Sequence, residues 1–475
     1  MKEKFLHVSL LVWGLLSAFC SCSDDYSFST SRNDVLFFSS DTLTLDTVFS
    51  GIPTPTRSFW VYNKSDASLR CTSIRLNHGN QTGFRVNVDG TYLGASAGYQ
   101  VSNVEIRRGD SLRVFVELTS PMNGGSSPSF LEDDLLFELE SGVEQRVALN
   151  AWSWDAEMVR NMHVSSDTTL YSNRPIVVFG KIVVDSTATL RIPGGQTIYF
   201  HAGAGIDVYG RLLCEGTATD NVTLRGDRID RMFDYLPYDL VSGQWNGIHL
   251  FGSSFENVFS YTDIHSTFNG IICDSSTVER KKIELRCSTV HNCQGDGIRA
   301  ENCYIDMYNC QFSNTLGDCV SFLGGNIVLQ HCTLAQFYPF DSQRGVALRF
   351  VNSQDHPLML SCSNTLVTGL AEDVVIGEQE DSTATFEYVF VSSILRTPVV
   401  EDTVRFKNII WEEVEDTISA GAKHFKQISL STQHFDFHLD SLSPAIGKAD
   451  PLYAFPEDRD GKARDAFPDI GCYEF

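Results

Sequence analysis

Between residues 246 and 395, short alternations of apolar and polar positions return again and again, half of them opened by Asn or Asp followed by Gly. The clearest are Asn246-Gly247-Ile248-His249-Leu250, Asn269-Gly270-Ile271-Ile272-Cys273, Asp296-Gly297-Ile298-Arg299-Ala300 and Asp318-Cys319-Val320-Ser321-Phe322. Weaker returns follow at Val346 and Val374. The leading apolar residues Ile248, Ile271, Ile298, Val320, Val346 and Val374 are spaced by 23, 27, 22, 26 and 28 residues. A second series, Cys287, Cys310, Cys332 and Cys362, runs out of phase with the first. Period-two alternation in runs too short for helices, punctuated by turn formers, predicts strands. A repeat of this length predicts one small unit stacked on the next. Together they predict a parallel β-helix, each coil hydrogen-bonded to its neighbour at the ~4.8 Å spacing of a sheet.

The same patterning divides the rest of the chain. Residues 34–150 read as eight or nine short alternating strands with frequent turns, a β-sandwich. A joint follows over 151–168 and the β-helix over 169–434. Residues 435–475 are expected to cap the last coil, whose pairing edge needs cover. Residues 411–426 have room for a short helix. Two stretches are too long for tight turns, 226–245 and 336–344, and both mix aromatics with charges. Long loops on a tight solenoid are where function concentrates.

The repeats resemble those of the right-handed parallel β-helix, the pectate-lyase-like superfold. Residues 176–225 are similar to the opening coils of β-helix repeat surface lipoproteins of Gram-negative gut anaerobes. The ending SPAIG…DRDGKARDAFPDIGCYEF resembles their closing motif. The resemblance spans residues 165–475. The expected fold class is all-β: an N-terminal immunoglobulin-like β-sandwich, then a right-handed parallel β-helix with a C-terminal cap. Activity is not implied, because this superfold carries lyases, hydrolases, adhesins and proteins without assigned chemistry.

The N-terminus changes where the protein is expected to work. Lys2 and Lys4 precede an apolar run over residues 8–19 that is too short to span a bilayer. Cys22 follows Ser21, a small residue suited to the position before a lipidated cysteine, whereas Cys20 follows Phe19. Residues 1–22 are therefore read as a lipoprotein signal peptide with Cys22 as the lipidation site, and residues 23–33 as a tether. Ser23-Asp24-Asp25 resembles the acidic tag that sends such lipoproteins to the outer face of the outer membrane. The expected partners are the outer membrane, through the lipid anchor, and a polysaccharide or another surface protein.

Charge narrows the ligands. Sixty acidic residues against 36 basic ones give a net charge of −24, which argues against nucleic acid. The same charge would repel a polyuronate unless a metal bridged the two. Eleven of the 13 cysteines lie beyond Cys22. Most fall at coil period, where buried thiols act as small hydrophobes. No Cys/Cys or Cys/His spacing suits zinc, so neither metal nor cofactor is expected.

The favoured functional expectation is a non-catalytic surface protein contacting glycan or a partner through the two long loops. Tyr235, Tyr238, Trp245, Tyr338 and Phe340 would offer aromatic faces to sugar C–H groups. Asp234, Asp239 and Arg344 would hydrogen-bond hydroxyls. The alternative is a polysaccharide lyase or glycoside hydrolase, with Ca²⁺ entering only for the lyase. Asp263, Asp274 and Asp296 with Arg299 come nearest to a coil-spaced lyase constellation, although Asp296 is also a repeated turn corner. Asp458-Arg459-Asp460-Gly461 opens like a calcium loop but lacks the later Glu. It is read as structural, with Arg464 pairing near Asp469.

Overall fold

The computed structural model describes residues 27–233, 235–412 and 421–475. Contacts divide them into two units, residues up to 123 with 128–153, and residues 124–127 with 154–475.

The first unit holds two five-stranded sheets. In one, Arg57–Asn63, Ser111–Leu118 and Phe84–Val88 pair antiparallel in that spatial order. In the other, Leu69–Leu76 pairs antiparallel with both Ser129–Leu139 and Gln100–Ile106. Alternate side chains, among them Phe59, Val61, Val114, Val116, Leu135, Phe137 and Leu149, are buried in one shared core. That is the period-two signature of a strand with one wet face.

The second unit is a parallel β-helix: 26 strands join into one sheet in which each coil pairs parallel with the next. Three inward columns run its length. The first passes Met162, Ile182, Ile206, Ile248, Ile271, Ile298, Val320, Leu348 and Val375. The second includes Ile283, Ile305, Ile327, Leu360 and Tyr388. The third passes Ile176, Ile198, Leu224, Ile264, Val290, Phe312, Leu334, Val367, Leu395 and Trp411. The predicted column therefore holds through Val320 and then shifts. Val346 and Val374 precede the column, because the excursion at 336–344 resets the count before Leu348.

The cysteine series divides in the same way. Cys310 and Cys332 follow adjacent corner residues of neighbouring coils, but Cys287 is itself a corner, and Cys362 stacks on Leu329 and Phe390. The corner column Tyr261, Cys287, Asn309, His331, Asn364, Ser392 and Asn408 has φ between 44° and 54°. Asn tolerates that left-handed geometry best among residues with a side chain. All the thiols of the described residues are free.

The Asn/Asp phrase residues bind the coils to one another. Asn269 Oδ1 accepts the Asp296 amide at 3.1 Å, Asp296 Oδ1 the Asp318 amide at 2.8 Å, and Asp318 Oδ1 the Val346 amide at 2.8 Å. Asp296 is thus a rung of a ladder, as its turn position predicts.

The C-terminal segment lies along the flank of the third face, where the sequence reading places an end cap. Phe425, Phe437, Leu439, Ile470 and Cys472 share a core with the outward residues Ala335, Leu366 and Ile394. Its bonds reach several coils: the Cys472 amide donates to Thr333 Oγ1, the Gly471 amide to the Asn364 carbonyl, and Arg464 to Asn309 Oδ1. Arg464 pairs with Glu474 at 2.8 Å, not with the Asp469 side chain. Asp458 accepts the amides of Asp460, Lys462 and Glu474, so the calcium-like run is a structural loop. Of the helix expected within 411–426, residues 413–420 lie outside the described residues; Ala422–His424 is a single 3-10 turn.

Candidate functional site

On the third face, residues alternate between the core and the flank. Ile264, Val290 and Phe312 point in. The flanking columns are therefore Asp263, Thr289, Gln311 and Thr333 on one side, and His265, His291, Ser313 and Ala335 on the other. Towards Leu366 and Ile394 the first of these columns turns apolar and the C-terminal segment covers it. At the level of Asp263 to Gln311 both columns stay polar, and the segment meets them through polar side chains, Arg459 on Thr289 and Tyr473 on Gln311. The result is a groove of about 560 Å³ with Asp263, His291 and Asn314 on the coil side and His438, Asp460 and Tyr473 opposite.

The coil wall holds a close cluster. The His265 Nδ1 is 2.9 Å from Asp263 Oδ1, and the His291 Nε2 is 3.1 Å from the same oxygen. The two imidazoles stack at 4.7 Å. The other nitrogen of His265, Nε2, is 2.7 Å from Asp239 Oδ1, and Arg225 reaches that oxygen at 2.8 Å. Burial opposes the charge on Asp263, but the two imidazoles outweigh it and hold the carboxyl well below the usual range. Burial likewise opposes the charge on His265, yet Asp263 and Asp239 raise it to about 9.

The opposite wall repeats the theme more openly. His438 lies between Asp436 at 2.6 Å and Asp460 at 2.8 Å, and its pKa is raised, chiefly by the hydrogen bond to Asp460. Tyr473 donates to Gln311 Oε1 at 2.8 Å. Arg459 donates to Thr289 Oγ1 and to Asn221 Oδ1. Asn314 is buried against the groove, and its side-chain oxygen has no hydrogen-bond partner among the described residues.

The loop residues expected to bind fare unequally. Tyr235 is 61% exposed and stacks on Phe233 at 5.7 Å; Phe340 is 46% exposed. The two loops touch, since Ser242 Oγ and the Tyr338 hydroxyl are 2.9 Å apart. Trp245 must be corrected: it is 1% exposed, stacks on Phe200 at 4.0 Å and donates to the His265 carbonyl. It belongs to the coil interior, because it enters the coil directly before Asn246. Tyr338 is also buried, under Phe340. Tyr238 is half-buried beneath the Arg228 guanidinium at 3.6 Å. Asp239, still partly exposed, pairs with His265 and Arg225. Arg344 braces its own loop by donating to the carbonyls of Tyr338 and Asp341. Asp234 and Cys22 lie outside the described residues.

Ligand atoms of Asp263, His265 and His291, residues outside the cysteine spacings considered above, all lie within 4.8 Å of one another. The available signal was Asp-x-His on one strand with a second His one coil later. The residues nearest to a lyase constellation separate into unrelated contacts. Asp274 pairs with His249, Asp296 with the Asp318 amide, and Asp263 with the histidines.

No family model matches the chain, and no curated protein matches it. Among solved structures it is similar to the pectate lyase Pel9A, with 14% identity and a TM-score of 0.30 over 67% of this chain and 96% of that one. It is also similar to the catalytic unit of a GH87 α-1,3-glucanase from Streptomyces thermodiastaticus, with 9% identity and a TM-score of 0.24 over 76% and 90%. A protein of unknown function from Porphyromonas gingivalis matches with 13% identity and a TM-score of 0.19, over 28% of this chain and 59% of that one. Likeness at this level does not extend to function.

Proposed function

We propose that the chain is a cell-surface lipoprotein that binds an extracellular glycan in the groove on the third face. The observation that carries this reading is a groove of about 560 Å³ lined by amides, carboxylates, imidazoles and a phenol. Hydroxyl-rich ligands match a wall that alternates donors and acceptors. The exposed pair Phe233 and Tyr235, on the loop that also sends Leu240 to the groove, would extend the site with an apolar face.

Retention of the chain on immobilised polysaccharides tests the reading. Asn314→Leu with His291→Gln is expected to weaken retention at least tenfold while far-ultraviolet circular dichroism is unchanged. Wild-type retention by that variant, or no retention on plant, host or microbial glycans, overturns it. The carboxylate and imidazole groups on both walls support a second reading, a lyase or glycoside hydrolase. New reducing ends, or unsaturated products absorbing in the ultraviolet, would establish that reading instead.

Surface display depends on Cys22. Cys22→Ser is expected to abolish incorporation of labelled fatty acid and to release the protein from the membrane fraction or leave its precursor unprocessed. Cys20→Ser should leave labelling intact. Labelling that follows Cys20 would refute this assignment.

A further inference from the structure

We propose that Asp263, His265 and His291 bind a divalent transition metal, Zn²⁺ by the chemistry of the donors. Two imidazoles and one carboxylate form a mixed nitrogen and oxygen set that suits zinc and its neighbours. Calcium and magnesium prefer oxygen alone. Metal–ligand bonds of about 2.0–2.2 Å place tetrahedral ligand atoms roughly 3.3 Å apart. Here two edges of the triangle are 2.9 and 3.1 Å, and the third is no longer than 4.8 Å. Small side-chain rotations would close it.

The surroundings match a metal site more closely than a chance hydrogen-bonded cluster. His265 turns Nδ1 toward Asp263, while Nε2 lies against Asp239, which Arg225 fixes in turn. A ligating histidine characteristically gives its other nitrogen to a carboxylate, which sets the tautomer and strengthens the donor. The donors are placed by sheet register rather than by a mobile loop. His265 and His291 are cross-coil partners, and Asp263 precedes His265 by two residues on the same strand. Asp263 and His291 line the groove whereas His265 stands behind them. A bound ion would thus keep a free coordination position toward the groove, the mark of a reactive rather than a purely structural site. The site stands whether or not the groove takes a glycan. Binding must displace the protons that otherwise link the three groups, so affinity should fall on acidification.

Titration of the purified full chain, free of any histidine tag and pretreated with chelator, tests the proposal. Zn²⁺ should bind at one equivalent per chain with release of protons, measured by calorimetry in buffers of different ionisation enthalpy. Co²⁺ should give visible d–d absorption. Asp263→Asn and His291→Gln are each expected to lower Zn²⁺ affinity at least 100-fold, and Asp239→Asn 10- to 100-fold. His438→Gln, on the opposite wall, should leave affinity unchanged. Absence of saturable Zn²⁺ binding below millimolar concentration overturns the proposal. Binding that survives both Asp263→Asn and His291→Gln, or that follows His438, overturns it equally.

Discussion

Replacing Gly247 by valine is expected to prevent the β-helix from folding. Gly247 has φ +83°, and a Cβ built there would sit 1.7 Å from the Asn269 carbonyl oxygen and 2.8 Å from that of Gly270. Those atoms are backbone of the next coil, so no side-chain rotation relieves the overlap. The coils would have to part where Ile248 stacks on Ile271. The cost should exceed about 4 kcal/mol, in the range that few single substitutions reach. Gly203→Ala separates this from conformational strain alone. Gly203 has φ +78° with nothing within 4 Å of the added carbon, so it should lose only about 1–2 kcal/mol. Soluble yield and urea midpoints would measure both. A soluble, native-like Gly247→Val protein would show that the coils can part at this level.

That glycine also shows what the sequence makes legible. The phrase Asn-Gly-Ile recurs because three demands meet in it: a side chain that reaches the next coil's amide, a residue without Cβ at the closest backbone approach, and an inward apolar residue. All three meet at Asn269-Gly270-Ile271 and Asp296-Gly297-Ile298, and from Ile248 to Val320 the inward column is readable from residue types alone. The glycine gives way to Cys319 and then Ala347, a loop intervenes after Val320, and the register reads two residues early at Val346. The cysteines mislead for a related reason. A corner residue with positive φ and the inward residue after it occupy neighbouring positions, and Cys fits both, as Cys287 and Cys310 show.

The site was less legible than the coils because it is assembled by docking. No local pattern reveals that residues 434–473 return to the flank of coils more than 100 residues earlier, with Tyr473 on Gln311 and Arg459 on Thr289. Aromatic loop residues looked like binding platforms from composition. Trp245 instead fills the coil interior, where burying so large a ring gains more than exposing it. The Asp263, His265 and His291 cluster could have been read, since coil period already placed residues 265 and 291 side by side.

Acidification from pH 7 to 4.5 is expected to destabilise the β-helix by about 3 kcal/mol through His331 alone. His331 is fully buried beneath the C-terminal segment. Its Nδ1 donates to the Gly471 carbonyl, and its Nε2 accepts from the Asn364 amide at 2.8 Å. A second proton on Nε2 would face that amide. Asn364 cannot flip to receive it, because its own oxygen and nitrogen are held by the backbone of Asp450. Burial, then the nearby Arg464 guanidinium, push His331 down to about 3.

The unfolded chain therefore binds this proton below about pH 6.5 while the folded one refuses it until about pH 3. Stability is thus lost as pH falls through that window. The raised His265 and His438 act elsewhere: their contributions are complete below pH 6.5 and are lost as pH rises through their folded values, about 9 for His265. Asp263 loses its contribution only at lower pH. Asp227 and Asp296, raised by burial, oppose the acid loss. The variant must therefore be compared with wild type at both pH values. His331→Asn suits this comparison, since Asn309 and Asn364 occupy the same corner in adjacent coils with the same sign of φ. Ten of the 11 described cysteines lie in this unit, so thiol exposure to a disulfide reagent in urea reports its unfolding. The variant should be weaker at pH 7 yet lose about 3 kcal/mol less on moving to pH 4.5. An acid loss equal to that of wild type would place the sensitive group elsewhere.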